Sequence, residues 1–155
     1  MGKKNKKILT VAIGADHRGY VLKKYIIDHL PSLNTRAIFW CDVGTSSRKR
    51  TDYPIFARKV AQLVSEKKTD CGLLLCGTGV GMVIAANRYA KVRAALAWNA
   101  TIAQLSKEED NANILVIPAD YVEPHEAITM TTVWLMTQFK KGRYTKRLAM
   151  IDRER

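Results

Sequence analysis

The chain has 155 residues and a formal net charge of +12, with 47% hydrophobic and 26% charged residues. This composition predicts one compact globular domain over 1–155 and excludes a disordered chain. No apolar run approaches the roughly 20 residues that a membrane helix needs, so a membrane partner is excluded as well.

The positive charge is concentrated at the two ends of the chain. Residues 1–7 carry four Lys and residues 140–155 carry a net charge of five, which together make nine of the twelve positive charges. We interpret 1–7 as a solvated basic tail, because the apolar stretch after it is too short for a signal peptide. The basic C-terminal end could bind an anion such as a phosphate. No aromatic RNA-binding pattern accompanies these charges, so no nucleic-acid partner is predicted.

Strand-like and helix-like segments alternate along the chain. The first half is predicted as a strand at 8–15, a helix capped by Asp16 and ended near Pro31, a strand at 36–43 and a helix at 53–67. The second half is predicted as strands at 71–76, 92–98 and 112–118, each followed by a helix, at about 81–89, 101–108 and 124–139. A basic, partly helical tail ends the chain.

These five strands are continuous apolar runs, which are typical of a parallel sheet covered by helices on both faces. The fold class is therefore α/β, a Rossmann-like three-layer sandwich with a five-stranded parallel sheet. Ligands of such sheets bind at the carboxyl ends of the strands. That rule selects Asp16 and His17, the loop after the second strand, residues 76–81 and the residues after Trp98.

Cysteine usage indicates the compartment. Cys41, Cys71 and Cys76 are odd in number and lack the spacing of metal ligands. A reduced, cytoplasmic location is the simplest interpretation. The histidines are scattered too, so no metal site is predicted.

The segment at 76–81 is the strongest candidate for chemistry. Its three alternating glycines leave backbone N–H groups open to a ligand, and the start of a helix favours an anion or a developing oxyanion. The same helix start predicts a lowered pKa for the Cys76 thiol, which makes Cys76 a candidate base or nucleophile. A tight turn with a structural cysteine would give the same pattern. The segment is not a P-loop, because no Gly-Lys-Ser/Thr follows.

Further motifs surround this segment in a fixed order. They are GADHRG at 14–19, VGT at 43–45, TDYP at 51–54, LCGTGVG at 75–81, AANR at 85–88, VRAAL at 92–96, NAN at 111–113 and GR at 142–143. Together they closely resemble the ribose-5-phosphate isomerase B and galactose-6-phosphate isomerase family. The resemblance runs from about Ile8 to Asp152.

The resemblance implies an aldose–ketose isomerase that interconverts ribose 5-phosphate and ribulose 5-phosphate through a cis-enediol, a step of the pentose phosphate pathway. Cys76 matches the cysteine that abstracts the proton. Thr78 would stabilise the enediolate in the manner of an oxyanion hole. The backbone amides expected to bind the substrate beside it are those of Gly77, Gly79, Val80 and Gly81.

The resemblance also implies the substrate-binding residues. Asp16 and His17 match a substrate-binding pair, Tyr53 lies in a matching motif, and Arg143 and Arg147 match arginines that grip the phosphate, commonly across a subunit boundary. Without the resemblance, these residues read as a helix cap, a surface histidine, a helix start and a solvated helix face. A homodimer or a dimer of dimers is implied, with 140–155 contacting a neighbouring subunit and with no cofactor or metal.

Four positions depart from the ribose-phosphate branch of the family. Glu109 and Asp110 replace a His-Asn pair whose His is assigned to opening the sugar ring. Asp120 replaces a phosphate-binding Arg, and Tyr144 replaces a His. Glu109 could still act as an acid if a closed site raises its pKa, and Asp110 could still bind substrate, or both could be surface residues.

These departures leave two alternatives open. The substrate could be a six-carbon sugar phosphate, such as galactose 6-phosphate or allose 6-phosphate. The chain could instead be a non-catalytic module that binds a sugar phosphate, although the retained Cys76 and Thr78 argue against this.

Overall fold

Residues 8–153 of the chain are described by a computed structural model. The predicted basic tail at 1–7 and the last two residues, 154–155, lie outside the described residues. The strands are β1 (Ile8–Ala15), β2 (Ser32–Leu33), β3 (Arg36–Asp42), β4 (Cys71–Cys76), β5 (Ala94–Leu96) and β6 (Ile114–Pro118). The helices are α1 (Tyr20–His29), α2 (Tyr53–Ser65), α3 (Val80–Ala86), α4 (Ala100–Glu108), α5 (Pro124–Met136) and α6 (Arg143–Asp152).

The strands form one sheet in the order β2-β3-β1-β4-β6-β5. The five predicted strands pair in parallel, as expected for a Rossmann-like sheet. The predicted count is one short, because β2 adds a two-residue antiparallel strand beside β3. Asn34 adopts a φ of 49° and reverses the chain there, so that Leu33 buries its side chain after Pro31 has ended the helical stretch.

Helices cover both faces of the sheet, which confirms the predicted three layers. Successive side chains of β4 alternate between the two faces, so that Leu73 and Leu75 join one buried cluster and Leu74 and Cys76 join the other. The first cluster lies under α1, α4 and α5, and the second under α2 and α3. Cys76 therefore ends the central strand on the side of α2 and α3. None of the helices between residues 8 and 153 combines the length and hydrophobicity needed to span a bilayer.

The start of α1 differs from the prediction. The helix begins at Tyr20 with Gly19 at its N-cap, so Asp16 is not the cap. Oδ1 of Asp16 instead accepts hydrogen bonds from the backbone N–H groups of Arg18 (2.9 Å) and Gly19 (3.1 Å) and shapes the turn before the helix. The turn delays the helix because a short Asp side chain bonds its own neighbouring backbone readily.

Helix α1 buries Leu22, Lys23 and Ile26, whereas Val21 is 51% exposed. Burial of Lys23 is compensated by its ammonium group, which bonds both carboxylate oxygens of Asp42 (2.7 and 2.8 Å) and the carbonyl of Thr45 (2.8 Å).

Candidate active site

Cys76 lies at the carboxyl end of β4, between the ends of β1 and β6. Its side chain is only 5% exposed. The backbone N–H groups of Gly79 and Met82 bond its sulfur. The thiol thus lies where the fold places ligands, with amide donors aimed at it.

The glycines of the 77–81 loop are required by close approaches. Gly79 has a φ of 76°, a conformation that residues with a Cβ rarely adopt, and a Cβ there would also overlap Leu96. A Cβ on Gly81 would overlap the ring of Tyr53. The ring of Tyr53 therefore packs directly against the loop at Gly81. The bare backbone of the loop accommodates these neighbours and leaves Thr78 exposed at the tip.

The pKa of the Cys76 thiol is raised, which corrects the lowering predicted from sequence. Burial of the thiol is the largest cause, and the two amide hydrogen bonds lower the pKa by less. Asp16 adds a raising contribution and Arg18 a lowering one. The resting thiol is consequently protonated at neutral pH.

We expect alkylation of Cys76 by iodoacetamide to accelerate with rising pH, with a midpoint above the ordinary thiol value of about 8.5. The reason is that only the thiolate reacts and burial disfavours it. The rate is measured on the Cys76 peptide by mass spectrometry, because Cys41 is also a free thiol. A midpoint at or below neutrality would contradict this expectation.

The segment between β3 and α2 bonds His17, and Tyr53 begins α2 at the end of that segment. The backbone N–H of His17 donates to Oγ1 of Thr51 (3.2 Å), and the backbone N–H of Thr51 donates to Nδ1 of His17 (3.2 Å). Because Nδ1 is an acceptor, a neutral His17 carries its proton on Nε2, which can donate to a ligand oxygen. Asp16 is 5% exposed and lies beside it in the chain.

The structure therefore unites one part of the predicted site, which we call the thiol half. It comprises Asp16, His17, Tyr53 and residues 76–81, all at the carboxyl edge of the sheet. Its groups are a thiol, an imidazole donor, a hydroxyl and backbone amides, which suit proton transfer next to a carbonyl. Within residues 8–153, no three His, Cys, Asp or Glu side chains are grouped to hold a metal ion.

The remaining predicted residues lie at the opposite edge, in what we call the arginine half. Helix α4 begins after β5 at the carboxyl edge and runs back for nine residues, about 13 Å, so that Glu109 and Asp110 reach the amino edge. Helix α6 lies there as well, since Arg93, just before β5, bonds Asp152 (2.6 Å). A single chain does not bring these residues to Cys76.

Contacts within the arginine half connect four of its residues. The hydroxyl of Tyr144 donates to Oε1 of Glu109 (3.0 Å), and Nη2 of Arg143 donates to the Tyr144 hydroxyl (3.0 Å). The guanidinium carbons of Arg143 and Arg147 lie 5.0 and 5.6 Å from the centre of the Tyr144 ring. Exposed Asp110 lines a neighbouring cavity of about 370 Å³ with Leu148 and Ile151. Buried Tyr144 thus orients both arginines and Glu109.

Sequence reasoning missed Arg18 as a member of the thiol half. Its guanidinium forms an ion pair with Asp120, which follows β6. Asp120 had been interpreted only as the loss of a positive charge. Two opposite charges that each follow the carboxyl end of a strand were the available signal.

The chain is similar to known proteins over most of its length. Residues 11–151 match the ribose/galactose isomerase family. The chain is 39% identical to ribose-5-phosphate isomerase B of Escherichia coli over 141 residues, which cover 91% of this chain and 93% of that one. A ribose 5-phosphate isomerase structure from Thermotoga maritima is 39% identical with a TM-score of 0.87, covering 94% of this chain and 98% of that one.

A second solved structure carries a ligand. Ribose-5-phosphate isomerase B from Mycoplasma genitalium, with bound ribulose-5-phosphate, is 36% identical to this chain with a TM-score of 0.87, covering 94% of this chain and 95% of that one. Family match, identity and fold all extend over nearly the whole length. The chain therefore belongs to the ribose/galactose isomerase family.

Proposed function

We propose that this chain is an aldose–ketose isomerase that interconverts ribose 5-phosphate and ribulose 5-phosphate through a cis-enediolate. The observation that carries the proposal is the buried Cys76 thiol at a strand end, facing the amides of Gly79 and Met82. The relatives named ribose-5-phosphate isomerase B, one of them with ribulose-5-phosphate bound, support this substrate.

The proposed chemistry is a proton transfer between adjacent carbons. The thiolate form of Cys76, which is the minor form at neutral pH, takes the proton from the carbon next to the carbonyl, and the electrons of that C–H bond form the enediolate double bond. Charge moves onto the carbonyl oxygen, where the Thr78 hydroxyl and the amides of the 77–81 loop would stabilise it. The thiol then returns the proton to the former carbonyl carbon, while the hydroxyl proton moves from the oxygen of the adjacent carbon to the first oxygen, so that the carbonyl now stands on the adjacent carbon. A thiol with a raised pKa returns its proton readily, which suits a reversible isomerisation.

We further propose that a homodimer completes the site. Cys76 and the arginine half lie at opposite edges of the sheet within one chain, so Arg143 and Arg147 of the partner subunit would bind the phosphate beside Cys76. Tail residues 140–155 would then supply the predicted subunit contact.

An exposed apolar surface next to the thiol half supports such a dimer. Four apolar side chains on α2 and α3 are exposed: Tyr53 (38%), Ile55 (42%), Val80 (50%) and Ile84 (56%). Trp98, two residues after the end of β5, is 55% exposed. Apolar groups clustered in this way are typical of a surface that another protein covers. A second copy of the chain fits, because it would also supply the missing arginine half. Three free cysteines fit the proposed cytoplasmic location.

A six-carbon sugar phosphate is the second candidate substrate. The observation that favours it is Glu109, which accepts a hydrogen bond from Tyr144 and occupies the place of the family's ring-opening His. An acidic group held by a tyrosine presents different hydrogen bonds to the sugar ring than an imidazole does.

We expect steady-state kinetics on a panel of five- and six-carbon sugar phosphates to give the highest kcat/KM for ribose 5-phosphate. The intact thiol half explains turnover, and the partner's arginines explain the need for a phosphate. Unphosphorylated ribose is the matched control and should react far more slowly. A higher kcat/KM for galactose 6-phosphate or allose 6-phosphate would overturn the substrate choice. Binding without turnover across the panel would favour the binding module.

A further inference from the structure

Arg18 lies directly over the loop that faces the substrate. Its backbone N–H is fixed by Oδ1 of Asp16 at 2.9 Å. Its side chain folds across Gly77, where a Cβ would overlap the guanidinium group. The position of Arg18 thus depends on a bare backbone at the residue that follows Cys76.

Asp120 holds this guanidinium from the β6 side. Nη2 of Arg18 pairs with Oδ2 of Asp120. The backbone N–H of Asp120 donates to the carbonyl of Gly77 (3.1 Å), and that of Ala119 donates to the carbonyl of Cys76 (2.9 Å). Arg18 and Asp120 are therefore both attached to the same strand end, which fixes the guanidinium relative to the thiol.

Stability alone does not explain this arrangement. The side chains of Arg18 and Asp120 are 50% and 35% exposed, and ion pairs with such exposure contribute little to folding. Arg18 also carries five N–H donors, of which the contact with Asp120 engages one nitrogen. The other donors of a half-exposed, oriented guanidinium remain able to meet a ligand at the carboxyl edge.

We propose that Arg18 is a substrate-binding residue, whose guanidinium, positioned by Asp120, donates hydrogen bonds to the phosphate oxygens of a ligand bound over residues 77–81. Phosphate is the chemical group indicated, because a planar guanidinium binds it through two parallel hydrogen bonds and a positive charge favours it. The thiol half would then supply its own phosphate contact, opposite the arginine half of a partner. The identity of the sugar phosphate rests on the proposed function, but the phosphate contact does not.

The test compares ligand binding in the full-length wild type, Arg18→Ala and Arg18→Lys by isothermal titration calorimetry. Ribose 5-phosphate, inorganic phosphate and ribose are the probes. Arg18→Ala should raise Kd for the two phosphate-containing probes by about tenfold or more and leave Kd for ribose unchanged, since a charged hydrogen bond is lost. Arg18→Lys should recover part of the loss, because it keeps the charge without the planar fork. Lys24→Ala, which removes an exposed charge of α1, is the matched control and should change no Kd.

A second readout needs no ligand. Arg18→Ala should raise the alkylation midpoint of Cys76, because the guanidinium lowers the pKa of that thiol. An unchanged midpoint would contradict the placement of the guanidinium beside Cys76. A purely structural role for Arg18 would shift the unfolding temperature and leave phosphate binding unchanged.

Failure of this proposal is distinguishable from failure of the proposed function. Unchanged phosphate binding in Arg18→Ala, no phosphate binding in the wild type, or a loss confined to ribose would each overturn the role of Arg18, whatever the turnover. Weakened phosphate binding in Arg18→Ala would support it even where the wild type does not isomerise ribose 5-phosphate. In that case only the proposed substrate would fall.

Discussion

Replacing Cys76 with alanine is expected to abolish isomerisation while the protein still binds its sugar phosphate. A positioned general base contributes about 10²–10⁴-fold to a rate, so kcat should fall by at least that range. Binding should persist, because the loop amides, His17 and the arginines do not depend on the thiol. Steady-state kinetics measure the loss of turnover, and calorimetry with ribose 5-phosphate measures the retained binding.

The chain offers a matched control for this variant at the other end of the same strand. Cys71 begins β4 and is also buried, and burial raises its pKa to about 12, so it stays protonated and takes no part in the reaction. Cys71→Ala should therefore keep kcat near the wild-type value. A kcat for Cys76→Ala within about tenfold of wild type would contradict the role of Cys76 as the base.

The sequence predicts the parallel strands of this fold well, and best where a strand is a continuous apolar run buried on both faces, as β4 and β6 are. β1 and β4 have the predicted bounds, and Cys76 stands at a strand end as expected. β2 was missed since two residues carry no periodicity, and Asp16 was misplaced since the same side chain can cap a helix or close a turn. The local sequence pattern therefore predicts the buried strands but does not distinguish a helix cap from a turn.

The sequence suggests candidate residues for the site but does not predict their arrangement. The direction in which α4 runs separates Glu109 from Cys76, and that follows from topology, not from motif spacing. The pKa of Cys76 depends on whether burial outweighs two amide hydrogen bonds, a balance that exists only in three dimensions. Arg18 and Asp120 are 102 residues apart in the sequence, so neither residue by itself indicates that the two form an ion pair.

Mixing two inactive variants is expected to restore activity if the site is shared between subunits. Cys76→Ala destroys the thiol half, and a double variant, Arg143→Ala with Arg147→Ala, destroys the arginine half. Two lost charged hydrogen bonds should weaken phosphate binding by about 10²-fold or more. A mixed dimer has one site with both defects and one site built from two intact halves. Random reassortment of equal amounts should therefore recover about one quarter of wild-type activity.

The control for this experiment is a mixture of two variants that both alter the thiol half. Cys76→Ala mixed with Thr78→Ala should recover nothing beyond the activity of the separate variants, because both changes strike the thiol half and every mixed site keeps one of them. A site contained within one chain would give no recovery in the Cys76 and arginine mixture either. Recovery by variants from opposite edges, but not by variants from the same edge, follows only if each active site takes one half from each subunit, as we propose from the path of α4 and the contacts of α6.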